Sequence, residues 1–365
     1  MVVPPAAKTA GALHAVAARS ATDAWAVGWG SSGIDLTYGI VDHWNGTVWQ
    51  PVATPAVGDA SVQLTGVDIL PSGDAFAVGN TTTGGTTTPH IEQYLSGIGT
   101  GKEIPGPAPV TGGTWQGIDL LSATDGWAVG MSGSLAEDEP AQTLVARWNG
   151  TQWKQVPSPS PGTLSSRLTA VTALAADDAW AVGQVRDAKD PTIEKSLVLH
   201  WDGLSWSRFA SPDPGTVRTT LLAAAAAGPG DFWAVGYTLD TPTDDPHPDE
   251  LLHAVALHWA GGGWKVLRST QATATEFTGV VAVAPRDVVL AGYQFISGGE
   301  NRNIEEWNGA AILPDKIAPD QTGGEHIGSA LSGLAAEPNG GRLWAVGWTT
   351  NALLPAQPYS LRSDR

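Results

Sequence analysis

Ala24-Trp25-Ala26-Val27-Gly28 is the stretch that decides the fold, because it returns along the chain, whole or eroded. The returns centre on Trp25, Phe76, Trp127, Trp180, Trp233, Leu290 and Trp344, so successive anchors stand 51, 51, 53, 53, 57 and 54 residues apart. Self-similarity at a period near fifty residues marks a chain assembled from one supersecondary unit, and a four-stranded propeller blade has that length. The phrase itself reads as a strand whose Trp is large enough to fill the space between neighbouring sheets.

Working outward from each anchor gives the rest of a blade. A short apolar strand precedes it: Leu13 to Ala17, Leu64 to Asp68, Trp115 to Asp119, Leu168 to Thr172, Leu221 to Ala225, Phe277 to Val281 and Leu331 to Ala335. A third strand follows most anchors and ends in His43-Trp44-Asn45-Gly46, Arg147-Trp148-Asn149-Gly150, His200-Trp201-Asp202-Gly203 or His258-Trp259-Ala260-Gly261. Asn-Gly and Asp-Gly there predict tight hairpins with both central residues at positive φ. A fourth strand carrying Trp49, Trp153, Trp206 or Trp264 then runs into a Pro-rich connection such as Val156-Pro157-Ser158-Pro159, where a sheet must stop. The second copy keeps only Tyr94 and Gly97 of its hairpin, and the sixth has Leu290 at the anchor; both read as drifted copies.

These observations predict a single all-β domain over 1–365, a seven-bladed propeller with blades near 13–63, 64–114, 115–167, 168–220, 221–276, 277–330 and 331–365. The last copy has room for a third strand around Gln357 to Leu361 but not a fourth. Residues 1–12 resemble the tail of a fourth strand, so pairing them beside the C-terminal strand is expected to complete blade 7 and hide an open edge.

The repeat, reading roughly L-x-x-V, then D-x-W-A-V-G, then H-W-N-G-T-x-W-x-x-V-P, resembles a bacterial, actinobacterial-type family of propeller repeats, largely uncharacterised. The resemblance covers nearly the whole chain and implies a fold, with little chemistry attached. Kelch blades are similar in length, but their paired glycines and Tyr are missing. Ser20-Ala21-Thr22-Asp23-Ala24-Trp25 does not match a sialidase-type Asp box.

Composition narrows the function. A net charge of −17 argues against a surface that tracks phosphates, so nucleic acid is set aside. There are no cysteines, hence neither disulfides nor thiolate metal sites. No stretch is apolar enough to span a bilayer, and residues 1–12 do not read as a signal peptide. Richness in Gly, Thr, Ser and Trp leans toward a secreted or cell-surface protein, a cytoplasmic location remaining open. A monomer is expected, with neither cofactor nor metal.

Elements that recur with every copy read as structure. The anchor Trp residues are expected to fill the gaps between blades, and the hairpin Trp residues an outer apolar layer. The aspartates before the anchors (Asp23, Asp74, Asp125, Asp178, Asp231, Asp287) are expected to accept backbone hydrogen bonds in turns. His43, His200 and His258 read as packing partners. Function belongs where copies differ, on the face carrying the variable second-to-third-strand loops.

The residue after each anchor glycine enters that face: Trp29, Asn80, Met131, Gln184, Tyr237, Tyr293 and Trp348. Four are aromatic and fall on blades 5, 6, 7 and 1, which predicts a contiguous aromatic crescent opposite Asn80, Met131 and Gln184. Such a wall suits a sugar ring or planar metabolite; the competing reading is inter-blade packing carried one position further. A mostly polar set, His14, Thr65, Gln116, Thr169, Leu222, Thr278 and Ser332, is expected near the same mouth.

Three functional readings follow. The first is a binding module for a carbohydrate or small polar-aromatic ligand, using Trp29, Asn80, Gln184, Tyr237, Tyr293 and Trp348. The second is an enzyme on the same face, a lyase, hydrolase or cyclase using His14 or the pair Glu325-His326. The third is a protein-interaction platform. The acidic loop from Asp240 to Glu250 reads as extended and solvated, with a calcium site as the less favoured alternative.

Overall fold

The structure, a computed structural model, describes residues 10–31, 36–97, 99–107, 110, 112–136, 139–240, 251–270, 274–296, 299–314, 326–338, 340, 342–351 and 354–364. Among them there are strands and turns and no α-helix. Unit 1 comprises β1 (Gly11–Ser20), β2 (Asp23–Ser31), β3 (Thr37–Trp44) and β4 (Trp49–Pro51). Unit 2 holds β5 (Ser61–Ile69), β6 (Ala75–Thr83), β7 (Thr86–Tyr94) and β8 (Lys102–Glu103). Unit 3 holds β9 (Gly113–Ser122), β10 (Asp125–Gly133), β11 (Ala141–Trp148) and β12 (Trp153–Gln155).

Unit 4 consists of β13 (Ser165–Ala175), β14 (Asp178–Asp187), β15 (Asp190–Trp201) and β16 (Trp206–Arg208), and unit 5 of β17 (Arg218–Gly228), β18 (Asp231–Leu239), β19 (His253–Ala260) and β20 (Gly263–Arg268). Unit 6 has β21 (Thr275–Ala284), β22 (Asp287–Ile296), β23 (Gly299–Trp307) and β24 (Ile312–Pro314); the last unit has β25 (His326–Ala336), β26 (Arg342–Asn351) and β27 (Leu354–Asp364). Each unit is antiparallel, with neighbours in chain order. Single parallel bridges, Ala141 to Ser165 and Glu194 to Arg218, run units 3, 4 and 5 into one 12-stranded sheet.

The first strands pack against one another in sequence, and β25 comes back against β1. That return is made by side chains. Trp344 lies 5.4 Å from Trp44 and 5.5 Å from Trp49, and Trp49 Nε1 donates to Ser360 Oγ at 3.1 Å. Within the N-terminal segment expected to close the ring, Ala10 accepts from Ser31 N at 2.7 Å, and Gly11 and Ala12 belong to β1, paired with Gly30 and Trp29; residues 1–9 lie outside the described residues.

Every first strand carries an extra residue opposite the anchor strand. The pairing skips from Leu13 to Ala15, Leu64 to Gly66, Trp115 to Gly117, Leu168 to Ala170, Leu221 to Ala223, Phe277 to Gly279 and Leu331 to Gly333. Such a β-bulge bends the strand and re-aims the skipped side chain. It also explains the glycine that ends the repeated phrase. A Cβ on Gly28 would meet the Ala12 carbonyl oxygen at 2.0 Å, and one on Gly183, Gly236, Gly292 or Gly347 would meet the equivalent oxygen at 1.9 Å. No side chain fits there.

The anchors fill the gaps between units, as expected, and they do so against the next unit's hairpin. Phe76 packs on Trp148 and Trp153, Trp127 on Trp201 and Trp206, and Trp233 on Trp307. The hairpin Trp residues therefore sit inside the interfaces, not in an outer layer: Trp44, Trp153 and Trp206 are buried.

The register corrects the anchor of unit 6. Val288 pairs with Trp307 as Ala24 pairs with Trp44, so Val289, opposite Glu306, takes the place of Trp25, opposite His43. Leu290 is one position further along, in the place of Ala26. The Leu misled the sequence reading because it is the bulkier residue.

The hairpins also depart from expectation. In Asn45-Gly46-Thr47-Val48 only Gly46 has positive φ, +97°, and Asn45 Oδ1 accepts from Thr47 N and Val48 N, both at 3.0 Å. The loop spans four residues between paired Trp44 and Trp49, so the Asn side chain, not a left-handed backbone, organises it. In unit 5, where Ala260 pairs with Gly263, both Gly261 and Gly262 are at positive φ, giving the two-residue turn.

The recurring aspartates have a different partner from the one expected. Asp23, Asp178 and Asp231 each accept from a His side chain at 2.9 Å, namely His43, His200 and His258, and Asp125 takes Arg147 at 2.7 Å. Asp74 accepts a backbone N–H, as expected, from Ser96 at 2.8 Å. The His rings in turn stack on the anchors, 4.6 Å for Trp25, 4.1 Å for Trp180 and 4.0 Å for Trp233, which makes them the packing partners anticipated.

Candidate functional site

The seven bulged residues, His14, Thr65, Gln116, Thr169, Leu222, Thr278 and Ser332, are the polar set expected near the mouth, and the bulge is what brings them together. They line two cavities at once. One, of about 510 Å³, lies on the side where the second strands end; the other, of about 190 Å³, continues among the first strands. The ring is the waist between them.

Much of the waist is tied to backbone. Thr65 Oγ1 donates to Trp115 O at 2.8 Å, Thr169 Oγ1 to Leu221 O at 2.7 Å and Thr278 Oγ1 to Leu331 O at 2.6 Å, each reaching another unit. His14 Nδ1 lies 3.1 Å from Leu64 O, the equivalent carbonyl of unit 2. Burial pushes the His14 pKa down, against the opposing pull of that carbonyl, so the ring is held neutral. With Nδ1–H donating to the carbonyl, Nε2 is left as an acceptor.

Above the waist, Asn80, Met131 and Gln184 line the larger cavity as expected, together with Gln63, Thr114 and Arg167. The last three were not singled out from sequence. They are the residues paired directly opposite Asn80, Met131 and Gln184, so the bulged register is the signal that would have found them. Thr114 Oγ1 donates to Asn80 Oδ1 at 3.1 Å. The Arg167 guanidinium is turned toward the loop of unit 3, donating to Leu135 O at 3.1 Å and also to Ala136 O.

Two of the aromatic residues, Tyr237 and Tyr293, take another role. Trp29, Tyr237, Tyr293 and Trp348 are half-buried and stand outside the lining of this cavity. Tyr293 donates to Glu276 Oε2 at 3.0 Å and meets Phe295 edge-on at 5.2 Å. Tyr237 packs with Phe295 against Val217, Leu239 and Leu252. Burial, reinforced by the Glu276 charge, raises the Tyr237 hydroxyl to about 12 and raises that of Tyr293 as well.

Two polar pairings thus stand over units 4 to 6. Arg186 holds Glu194 at 2.8 Å, Thr220 donates to the other oxygen of Glu194, and Tyr293 closes on Glu276. The described contacts give Tyr237 and Tyr293 the packing role that the sequence left as the competing reading.

Of the ionisable candidates, His326 opens β25 with its backbone opposite Asn351. Its neighbour Glu325 lies outside the described residues, as does the acidic loop beyond Asp240. Among the described residues no group of three or more His, Asp or Glu is arranged to hold a metal ion, and no helix is long and apolar enough to cross a membrane.

No protein-family model matches the chain, and no curated protein matches it. Solved structures do. YCF48 bound to D1 peptide is 12% identical with a TM-score of 0.57, the match covering 98% of this chain and 97% of that one. The β-propeller domain of the Trilobed protease from Pyrococcus furiosus is 10% identical at a TM-score of 0.55, with 98% of each chain covered. A PL25 ulvan lyase bound to -[GlcA(1-4)Rha3S]- is 10% identical at 0.59, covering 95% and 93%. At such identities the likeness is one of fold, and it is the β-propeller fold.

Proposed function

We propose that this chain is a seven-bladed β-propeller of four-stranded blades that serves as a binding module, taking a small polar ligand such as a carbohydrate into the mouth cavity. The observation that carries the reading is the chemistry of that cavity. Gln63, Asn80, Gln116 and Gln184 bring four carboxamides to one concavity, with Thr114 beside them. Carboxamides both donate and accept, which suits hydroxyl groups that do the same. A volume near 510 Å³ falls in the usual range of small-molecule sites, roughly 300–1,000 Å³. A secreted or surface location and membership of the bacterial repeat family fit this reading.

Catalysis by His14 is the weaker alternative. Its Nδ1 is engaged by a backbone carbonyl and its ring is held neutral by burial, and among the described residues no carboxylate contacts it to tune it as an acid or base. The protein-platform reading draws support from a fold neighbour seen with a peptide.

A thermal-shift screen of neutral sugars against wild type, Asn80→Ala and Trp348→Ala tests the proposal. Stabilisation of wild type and of Trp348→Ala, lost in Asn80→Ala, is expected, because a ligand that binds only the folded state raises its melting temperature. Shifts equal in all three proteins would remove the mouth as the site.

A further inference from the structure

The mouth is chemically two-sided. Beside the cavity lining, over units 4 to 6, polar groups satisfy one another, through Arg186 with Glu194, Thr220 with Glu194 and Tyr293 with Glu276. In the lining over units 2 to 4, Arg167 is tied to loop carbonyls, but other groups are left without partners. Gln184 borders the cavity, yet its Oε1 is buried with no hydrogen-bond donor among the described residues. No hydrogen bond from a described residue reaches the carboxamide of Gln116 either.

An acceptor cut off from both water and protein donors is destabilising, and a ligand that supplies the missing donor relieves it. Asp42 Oδ2 is in the same state, but Gln184 borders the cavity, where a ligand can supply the missing donor. The Gln184 carboxamide sits at the cavity wall on a side chain whose terminal torsion is broad and soft, so a small rotation turns Oε1 into the cavity. Asn80 faces the same space: its Oδ1 lies 3.1 Å from the Thr114 hydroxyl, which also reaches Trp115 O at 2.8 Å, and its NH₂ is a group it can offer to a ligand.

We infer that the ligand is an uncharged, hydroxyl-rich molecule seated off the axis, against units 2 to 4, that donates a hydroxyl hydrogen to Gln184 Oε1 and accepts from Asn80 Nδ2. Gln184 is the specificity-determining residue, because it discriminates a free hydroxyl from the same position methylated or removed. A site built to hydrogen-bond a substrate hydroxyl rejects the analogue lacking it far more strongly than an apolar pocket rejects a size change. This inference rests on the binding reading given above.

The test is saturation-transfer NMR with a panel of methyl glycosides (glucoside, galactoside, mannoside, rhamnoside and xyloside), each beside its per-O-methylated counterpart, on wild type, Gln184→Leu, Gln184→Glu and Tyr237→Phe. The expected result is transfer to at least one hydroxylated glycoside on wild type and none to its methylated counterpart. Gln184→Leu should weaken that glycoside tenfold or more. Gln184→Glu, which keeps an acceptor but adds a charge, should weaken it less than Gln184→Leu does, and Tyr237→Phe, outside the cavity lining, should remain within about threefold of wild type. A melting temperature near wild type for Gln184→Leu separates lost contact from lost fold.

If a glycoside binds and Gln184→Leu leaves it unchanged, or if the methylated form binds equally, the assignment of Gln184 is overturned while the binding reading stands. If no hydroxylated glycoside receives saturation on wild type, the binding reading fails and this inference fails with it.

Discussion

The carbonyl oxygen of Arg167 occupies the space that a side chain on Gly183 would need, 1.9 Å from where its Cβ would stand. The same relation joins each anchor glycine to the strand before it, and it exists because the first strand is bulged one residue further on. The glycine is therefore part of the machinery that turns Thr169 and its counterparts into the central cavity. Gly183→Ala is expected to lower stability by about 3 kcal/mol, at the upper end of overpacking costs, since the clash is with backbone. Urea titration measures it; a loss below about 0.5 kcal/mol would show that the bulge relaxes freely.

An aromatic cluster packs the last unit against the first. Trp344 contacts Trp44 and Trp49, and Trp49 reaches Ser360. Truncation of Trp344 to Ala should cost about 3–5 kcal/mol. Ser360→Ala, which leaves a buried indole N–H without its acceptor, should cost about 1–3 kcal/mol. Limited proteolysis reads both, with cuts expected in units 1 and 7 first.

Thr169 probes the waist. Its hydroxyl joins unit 4 to Leu221 O of unit 5 at 2.7 Å, so Thr169→Val keeps the shape and removes the link. A loss of about 1 kcal/mol is expected in chemical denaturation, with the overall fold retained by circular dichroism.

Asp42 sets a pH dependence. It is 1% exposed, its Oδ2 has no partner, and burial raises its pKa from 3.8 to about 7. A raised folded-state pKa means that the unfolded chain gives up this proton first. Between about pH 4 and 7, stability contributed by Asp42 therefore falls as pH rises, by at most about 1.4 kcal/mol per unit, and levels off above. Asp42→Asn should flatten that slope and leave the protein more stable than wild type at pH 8. Melts from pH 4 to 8 decide it; parallel curves for the two proteins would show that Asp42 is ionised in the fold.

The repeat was legible because each copy spends its most distinctive residues on the same tasks. Trp25, Trp127, Trp233 and Trp344 mark interfaces wherever they occur, and the strands expected from Leu13, Leu168 or Leu331 lie where periodicity put them. The drifted sixth copy was misplaced by one residue, since Leu290 carries more bulk than Val289 and only the pairing with Glu306 reveals the register. In the site, Asn80, Gln184 and the polar waist could be anticipated from their position after or before a motif. The aromatic crescent could not be judged from position alone, because whether Tyr293 faces a cavity or donates to Glu276 depends on a partner 17 residues away.

Sequence by itself determined the unit, its count of returns and its punctuation. Large aromatics, Asn-Gly turns and proline stops act over a few residues, and their effects on the backbone are local and additive. Tertiary structure decided which polar groups are spent on one another and which still face open space. The bulge that aims His14, Thr65, Gln116, Thr169, Leu222, Thr278 and Ser332 at one axis, and the pairing that satisfies Tyr293 but leaves Gln184 Oε1 without a donor, are relations between strands. A hydrogen bond needs its partner within about 3 Å, and only the assembled fold brings residues from separate repeats that close.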